Sequence, residues 1–327
     1  MTTTIRALVV SANGGPDVLE VRQLPAPEPG PGQLLVDVAA SGVNFKDVYE
    51  REGLYPRPTP FVLGDELAGT VVGVGADVTE FAVGDRVASA GADGAHATAA
   101  LVDAAKAVRV PDGVELEVAA AVMLQGLTAH YLLNSTYPLG KDETALIQPA
   151  AGGTGQVLVQ LAKAKGARVI AAVGSAEKAR IVTDLGADDV IRYDEADDLA
   201  AAVRAANGGA GVDVVYDGVG KATFDASLAS LRRRGMLVLF GAASGPVPPF
   251  DPQLLNRGGS LYLTRPTLAH YVSDRDELTW RAGAVFDAIA SGTLHVEIGA
   301  RYALDRAADA YRALEGRQTT GKLLLVP

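Results

Sequence analysis

The stretch Ala150-Ala151-Gly152-Gly153-Thr154-Gly155 limits the folds open to this chain more than any other. Before it runs the apolar Thr144-Ala145-Leu146-Ile147-Gln148, which reads as a buried strand, and after it Gln156-Val157-Leu158-Val159-Gln160-Leu161-Ala162-Lys163 is apolar at helical spacing. Strand, glycine turn and helix follow in that order. Glycines suit a sharp turn, and a missing side chain lets backbone N–H groups approach a phosphate at the positive end of a helix. The stretch is thus a candidate pyrophosphate cradle, although Ala/Gly-rich turns also join strands to helices with nothing bound.

With 327 residues the chain suits two domains, each long enough to bury a core. A formal charge of −10 and a pI near 4.9 would repel phosphates over most of the surface. That argues against a nucleic-acid or anionic-membrane partner and for a small molecule. The absence of cysteine rules out disulfides, thiolate zinc sites and a cysteine nucleophile. The opening Met1 to Val10 turns at once into strand-like sequence without the apolar core of a signal peptide, and no stretch is judged to reach membrane length; a soluble, cytoplasmic protein is expected.

Two textures alternate along the chain. Arg6 to Val10, Val18 to Leu24, Gln33 to Ala40, Glu66 to Val74 and Arg86 to Ala88 are short strand-like runs split by Gly and Pro clusters. From Val114 the chain becomes Ala-rich helix, Val118 to Met123 and then Leu127 to Leu133. Beyond the glycine turn, strands (Ala167 to Val173, Asp189 to Arg192, Val212 to Tyr216, Met236 to Phe240) alternate with helices (Ala176 to Leu185, Asp197 to Ala206, Thr223 to Leu231). Such alternation implies a parallel sheet covered on both faces. The tail adds a strand at Ser260 to Thr264, a helix at Arg275 to Ala290, another capped by Asp305 and ending at Glu315, and a last strand from Gly321 to Val326. The two ends are expected to pack as one domain, with the doubly wound unit inserted between them.

In dinucleotide folds an acidic residue about 20 positions past the glycines commonly binds the adenosine ribose and selects NAD. Here Gly174 and Ser175 stand at that strand tip, and nothing there repels a 2′-phosphate. Lys178, one turn on, can pair with that phosphate, and Tyr193 ends the next strand on the same side. NADP is therefore expected over NAD. A solvated helix lysine at 178 and a plain N-cap at Ser175 are the blander alternatives.

These pieces together resemble the zinc-independent quinone oxidoreductases, the ζ-crystallin-like branch of the medium-chain dehydrogenase/reductase superfamily. The resemblance is carried by Gly42-Val43-Asn44-Phe45-Lys46-Asp47-Val48-Tyr49 with Gly53-Leu54-Tyr55-Pro56, by Gln125-Gly126-Leu127-Thr128-Ala129, by the glycine turn, and by Gly258 to Pro266. It implies an α/β architecture: a GroES-like, β-rich catalytic domain (1–122 and 266–327) holding an inserted Rossmann-type doubly wound domain (123–265). It also implies NADPH as cofactor and hydride transfer at the interdomain cleft to a quinone or an α,β-unsaturated carbonyl. The runner-up activity is an enone, 2-alkenal or enoyl thioester reductase. A non-enzymatic, NADPH-binding structural or RNA-binding role is the alternative of another class.

Carried over residue by residue, the resemblance places Asn44 nearest the nicotinamide and makes Tyr49 and Tyr55 pocket tyrosines that stack on a flat ring or donate to an oxyanion. Asp47 orients a neighbour or caps a loop. Lys46 departs from a bulky apolar residue and either stabilises an anion or, slightly favoured, points to solvent. For the cofactor it implies Thr128, Ala151, Gly152, Gly153, Thr154, Gly155, Gly218, Phe240, Gly241 and Ala243, with Lys322 reaching it from the last strand. Thr154 and Gln125 depart from the valine and lysine common in relatives.

Zinc alcohol dehydrogenases of the superfamily have cysteine at the position of Asn44 and histidine at that of Asp65, so no metal is expected. Asp65 and Glu66 are then structural, pairing with Arg86 or capping a turn. His96, His130, His270 and His295 show no metal spacing, and Arg232-Arg233-Arg234 reads as a solvated helix end. By resemblance, Ser260 to Thr264 pairs with its copy across a twofold axis, and Leu261 and Leu263 suit a covered edge; a homodimer is expected.

Overall fold

The strand Gln33–Gly42 shows why the first part of the chain is sheet: Leu34, Val36, Val38 and Ala40 are buried at every second position. The computed structural model describes residues 4–316 and 319–327, so Met1, Thr2 and Thr3 of the opening run lie outside the described residues. The chain divides into two units, Met1–Gln125 with Asp274–Ala290 and Val296–Pro327, and Gly126–Ser273 with Ser291–His295.

In the first unit, Gln33–Gly42 is central to a seven-stranded sheet that includes Leu67–Val74 on one side and the last strand, Lys322–Val326, on the other. The antiparallel register sets Leu324 opposite Gly42 and Leu325 opposite Ser41, which carries the end of the chain back to residues 41–44. A three-stranded sheet of Leu19–Pro25, Thr4–Val10 and Phe61–Val62 stands beside it. Leu8, Val10, Val48, Leu63, Tyr311 and Leu323 share one core. Burying such side chains supplies about 1.5–3 kcal/mol each.

The second unit is a six-stranded parallel sheet in the order Asp189–Arg192, Arg168–Val173, Thr144–Gln148, Val212–Asp217, Leu231–Leu239, Tyr262–Thr264. Thr144–Gln148 is buried throughout, as a strand covered on both faces must be. Successive strands lie to its left until Asp189–Arg192, and then the chain crosses to its right. The glycine turn leaves this central strand at its carboxyl end, where ligands bind in open α/β sheets.

Four expectations are corrected. The two Ala-rich helices are one, Leu116–Tyr131, continuing through a wider turn over Leu132–Thr136. These 21 residues are long and apolar enough to cross a membrane by length and composition, contrary to the expectation, but 72% of the window is buried inside the fold, and that burial accounts for the apolarity. Asp305 caps no helix. It pairs with Arg6 at 2.5 Å, and Ala307–Glu315 starts without a side-chain cap. Arg232, Arg233 and Arg234 lie on the strand Leu231–Leu239, where Arg232 binds Asp213 at 2.5 Å.

Candidate active site

In the second unit the helix Gly153–Ala164 begins at Gly152 with no side chain capping it. The N–H groups of its first turn have no partner within the helix and point past the strand end. Gly155 is fixed by packing: a Cβ there would lie 2.1 Å from the Pro149 carbonyl oxygen. Gly152 has room, since its Cβ would come no nearer than 3.5 Å to that same oxygen. The cradle of Ala151, Gly152, Gly153, Thr154 and Gly155 thus has one glycine for close packing and another open toward a ligand, which fits a pyrophosphate.

At the tip of Arg168–Val173, a Cβ on Gly174 would lie 2.6 Å from the Tyr193 hydroxyl. Ser175 caps the next helix by accepting the Lys178 N–H at 3.2 Å. Gly174, Ser175, Lys178 and Tyr193 therefore form one corner, as their order along the chain suggests. Across the central strand, the buried Asp217 carboxylate accepts from the Val219 and Gly220 N–H groups and from Thr223 and Ser227 hydroxyls, which shapes the loop at Gly218. Gly218 and Gly241 touch: a Cβ on Gly241 would lie 2.5 Å from the Gly218 oxygen, and one on Gly218 would lie 2.8 Å from the Phe240 ring. Ala243 donates to Gly218 O at 3.2 Å. Thr128 is buried on the long helix.

In the first unit Asn44 opens the helix Phe45–Arg51. Its Oδ1 accepts from Lys322 Nζ at 2.7 Å, and its Nδ2 donates to Glu66 Oε2 at 2.8 Å and to Gly42 O at 3.1 Å. Lys322 Nζ also meets Glu66 Oε2 at 2.6 Å, and Glu66 Oε1 accepts the Leu124 N–H at 2.7 Å. Gly42 makes this possible, because a Cβ there would fall 2.1 Å from Glu66 Oε2. Lys322, read from sequence as a cofactor contact, is thus engaged with Asn44 and Glu66. Arg86, the expected partner of Glu66 or Asp65, instead donates to the Pro111 and Val114 carbonyls.

Asp47 orients Asn44 from below. Its Oδ2 accepts the Asn44 N–H at 2.7 Å and the Tyr311 hydroxyl at 2.8 Å. His96 bridges Tyr311 and Ser41, both at 2.8 Å, and lies 3.5 Å from Asp47. Burial pushes the Asp47 carboxyl up, but His96, Tyr311 and the Asn44 N–H outweigh it and hold the group below the usual range. Burial, followed by the Asp47 charge, pushes the Tyr311 hydroxyl well above its ordinary value.

Lys46 does not point freely to solvent. It pairs with Glu50 one turn along the helix and with Asp65. Burial pushes the Asp65 carboxyl up to about 6; Lys46 opposes this, and the charges of Glu50 and Asp47 add to it. Tyr49 and Tyr55 meet edge to face with centroids 5.3 Å apart, and Phe45 lies 6.3 Å from Tyr49.

Two family models match the chain: the alcohol dehydrogenase GroES-like domain over residues 30–112 and the zinc-binding dehydrogenase over 153–279. The quinone oxidoreductase of Pseudomonas aeruginosa is 46% identical over 319 residues, covering 97% of this chain and 98% of its own. The 2-haloacrylate reductase of a Burkholderia species is 40% identical, covering 99% of both. A mycobacterial protein, Rv1454c, solved in complex with NADPH, is 51% identical with a TM-score of 0.96, over 98% of this chain and 100% of its own. The chain belongs to the quinone oxidoreductase family of the medium-chain dehydrogenase/reductase superfamily.

It is an oxidoreductase of that medium-chain type, with the GroES-like and Rossmann-type units the sequence led us to expect. The zinc named by one family model does not fit these residues: Asn44 Oδ1 already accepts the Lys322 ammonium, and Asp65 is bound by the Lys46 ammonium. Among the described residues no group of three or more His, Cys, Asp or Glu side chains is placed to hold an ion. What sequence reasoning missed is Tyr311 and the way Glu66, Lys322 and His96 join with it behind Asn44. A local signal was Gly42, the glycine that ends the strand Gln33–Gly42, since a glycine in a strand marks a close approach.

Proposed function

We propose that the protein is a cytoplasmic homodimer that reduces quinones with NADPH by hydride transfer, without a metal. The observation that carries the reading is the corner at Gly174, where the Tyr193 hydroxyl packs onto a strand tip bearing a glycine and a serine in place of a carboxylate. A 2′-phosphate fits such a corner, with Lys178 as its cation. NADPH, when bound, supplies the hydride. The chain's own residues bind and orient: the first-turn N–H groups at Gly152 to Gly155 hold the pyrophosphate, Gly218 and Gly241 let the strand ends come close, and Asn44, held on three sides, presents a fixed amide to the ring or the acceptor. Tyr49 and Tyr55 offer aromatic faces to a flat quinone. Built-in ammonium groups on Asn44 and Asp65 support the metal-free part of the reading.

Homodimerisation is supported by Tyr262–Thr264, which ends the parallel sheet and has Tyr262 55% exposed. Leu261 and Leu263 pack against the unit's own core, so their apolarity does not bear on it.

The likeness to a 2-haloacrylate reductase favours a second reading, an unsaturated carbonyl compound as acceptor. NADPH oxidation measured against a panel of quinones and enones decides between them. Turnover of quinones with NADPH well above NADH is expected; turnover of enones alone would establish the second reading.

A further inference from the structure

We infer that Lys46 is the proton donor to the reduced acceptor: its ammonium, anchored by Glu50 and Asp65, stabilises the oxyanion left by hydride transfer and then protonates it. This rests on the reading of the protein as a quinone reductase.

The anchoring is one-sided. The side chains of Glu50 and Asp65 are 11% and 17% exposed and that of Lys46 is 37% exposed, so the two carboxylates are the inner members of the cluster and the lysine the outer one. The surrounding charge is negative in excess. Glu50 from the same helix and Asp65 from the facing loop both bind Lys46, and a second cation, Arg57, lies 3.6 Å from Glu50 while also binding Asp93 and the face of Phe61. Burial lowers the affinity of Lys46 for its proton, but Asp65 and Glu50 more than restore it, so the side chain is a cation at neutral pH.

The neighbouring helix row is aromatic. Phe45 and Tyr49 are one turn apart, as Lys46 and Glu50 are, and consecutive helix positions differ by about 100°. We place a flat ring along Tyr49 and Tyr55 with its oxygen turned toward the adjoining Lys46 row. Nothing else on that helix offers a proton from an exposed cation: Arg51 is buried against Glu315 and the Gly14 carbonyl.

The proton balance closes. A quinone that accepts a hydride gains two electrons and one hydrogen and becomes a phenol-type oxyanion. Phenols ordinarily titrate near 10, and Asp65 and Glu50 hold Lys46 above its ordinary value, so the ammonium first stabilises the oxyanion and then gives up its proton slightly uphill. The Lys46 N–H bond breaks as the O–H bond forms, and the neutral amine recovers a proton from water at its exposed edge. Each hydride transferred thus consumes one solvent proton.

The experiment compares wild type with Lys46→Met and with Lys46→Arg, which keeps the charge but holds its proton too tightly to give it up. For Lys46→Met, kcat with a quinone should fall by about 100-fold or more. The Kd for NADPH should be unchanged by fluorescence titration, and Lys46→Arg should fall between. A second readout needs no cofactor: 4-nitrophenol added to the protein should titrate, by its absorbance, about one pH unit lower with wild type than with Lys46→Met. Wild-type kcat and pH profile in Lys46→Met, or identical nitrophenol titrations, would overturn the inference. Should the wild type turn over no quinone, the functional reading fails, and the nitrophenol comparison still decides the role of Lys46.

Discussion

Lys322 Nζ lies 2.6 Å from Glu66 Oε2, with both side chains all but sealed from water. Desolvating two charges is costly, and attraction at this range offsets it only while both partners are present. The pair is kept because it sets Asn44: the same ammonium and the same carboxylate oxygen bind the two ends of its amide. Lys322→Met should therefore cost about 3–5 kcal/mol by urea unfolding, because it strands the Glu66 charge. Adding Glu66→Gln should recover part of that loss. A single-mutant cost below about 1 kcal/mol would show that the pair does not hold this site together.

Gly152 and Gly155 should respond differently to alanine. At Gly155 the new Cβ would meet the Pro149 oxygen at 2.1 Å and must shift the turn, so the melting temperature and NADPH affinity should fall together. At Gly152 the nearest atom is 3.5 Å away, so stability should stay within about 0.5 kcal/mol while NADPH affinity drops. Unchanged NADPH binding in Gly152→Ala would remove that glycine from the phosphate cradle.

Cofactor choice should be read at Lys178 and Tyr193. Lys178→Ala removes the lysine whose backbone N–H Ser175 caps and should weaken NADPH by roughly tenfold while leaving NADH unchanged, as one charge-assisted hydrogen bond is worth about 1.5–3 kcal/mol. Tyr193→Phe should give a smaller change of the same sign. Equal losses for both cofactors would contradict a 2′-phosphate contact.

Asp65 makes stability depend on pH with an unusual sign. Its carboxyl titrates at about 6 when folded against an ordinary value of 3.8, so between those limits the folded chain binds a proton that the unfolded chain has lost. The stability it contributes is present in full below pH 3.8 and is lost as pH rises through 6. Asp65→Asn should thus unfold at higher urea than wild type at pH 7.5, by up to about 3 kcal/mol, with the gain shrinking below pH 5. The same change should slow quinone turnover, because it frees Lys46 from one anchor.

Tyr262→Asp places a charge on the edge strand of the parallel sheet. Light scattering should show monomers for the variant and dimers for the wild type. A monomeric wild type at assay concentration would end the dimer reading.

The second unit was legible because its signals are local. Asp189–Arg192 and the corner of Gly174 with Ser175 follow from strand period and from a missing acid in a short stretch of chain. The first unit's site was not, because its partners are remote: Glu66 and Lys322 are 256 residues apart, and Asp47 and Tyr311 are 264 apart. Lys46 was left between stabilising an anion and, slightly favoured, facing solvent for the same reason, since only the fold brings Asp65 to it. Asp305 shows the opposite failure, where a good local capping residue was drawn away by Arg6.

The separation of 256 positions from Glu66 to Lys322 also sets a timetable. At ordinary elongation speeds of about 5–20 residues per second, a growing chain carries Glu66 without its counter-ion for roughly ten to fifty seconds. During that interval nearly all of the six-stranded unit has left the ribosome and can close. The amide of Asn44 is therefore among the last groups of the first unit to be fixed, because Lys322, which holds its oxygen, is made 278 residues after it.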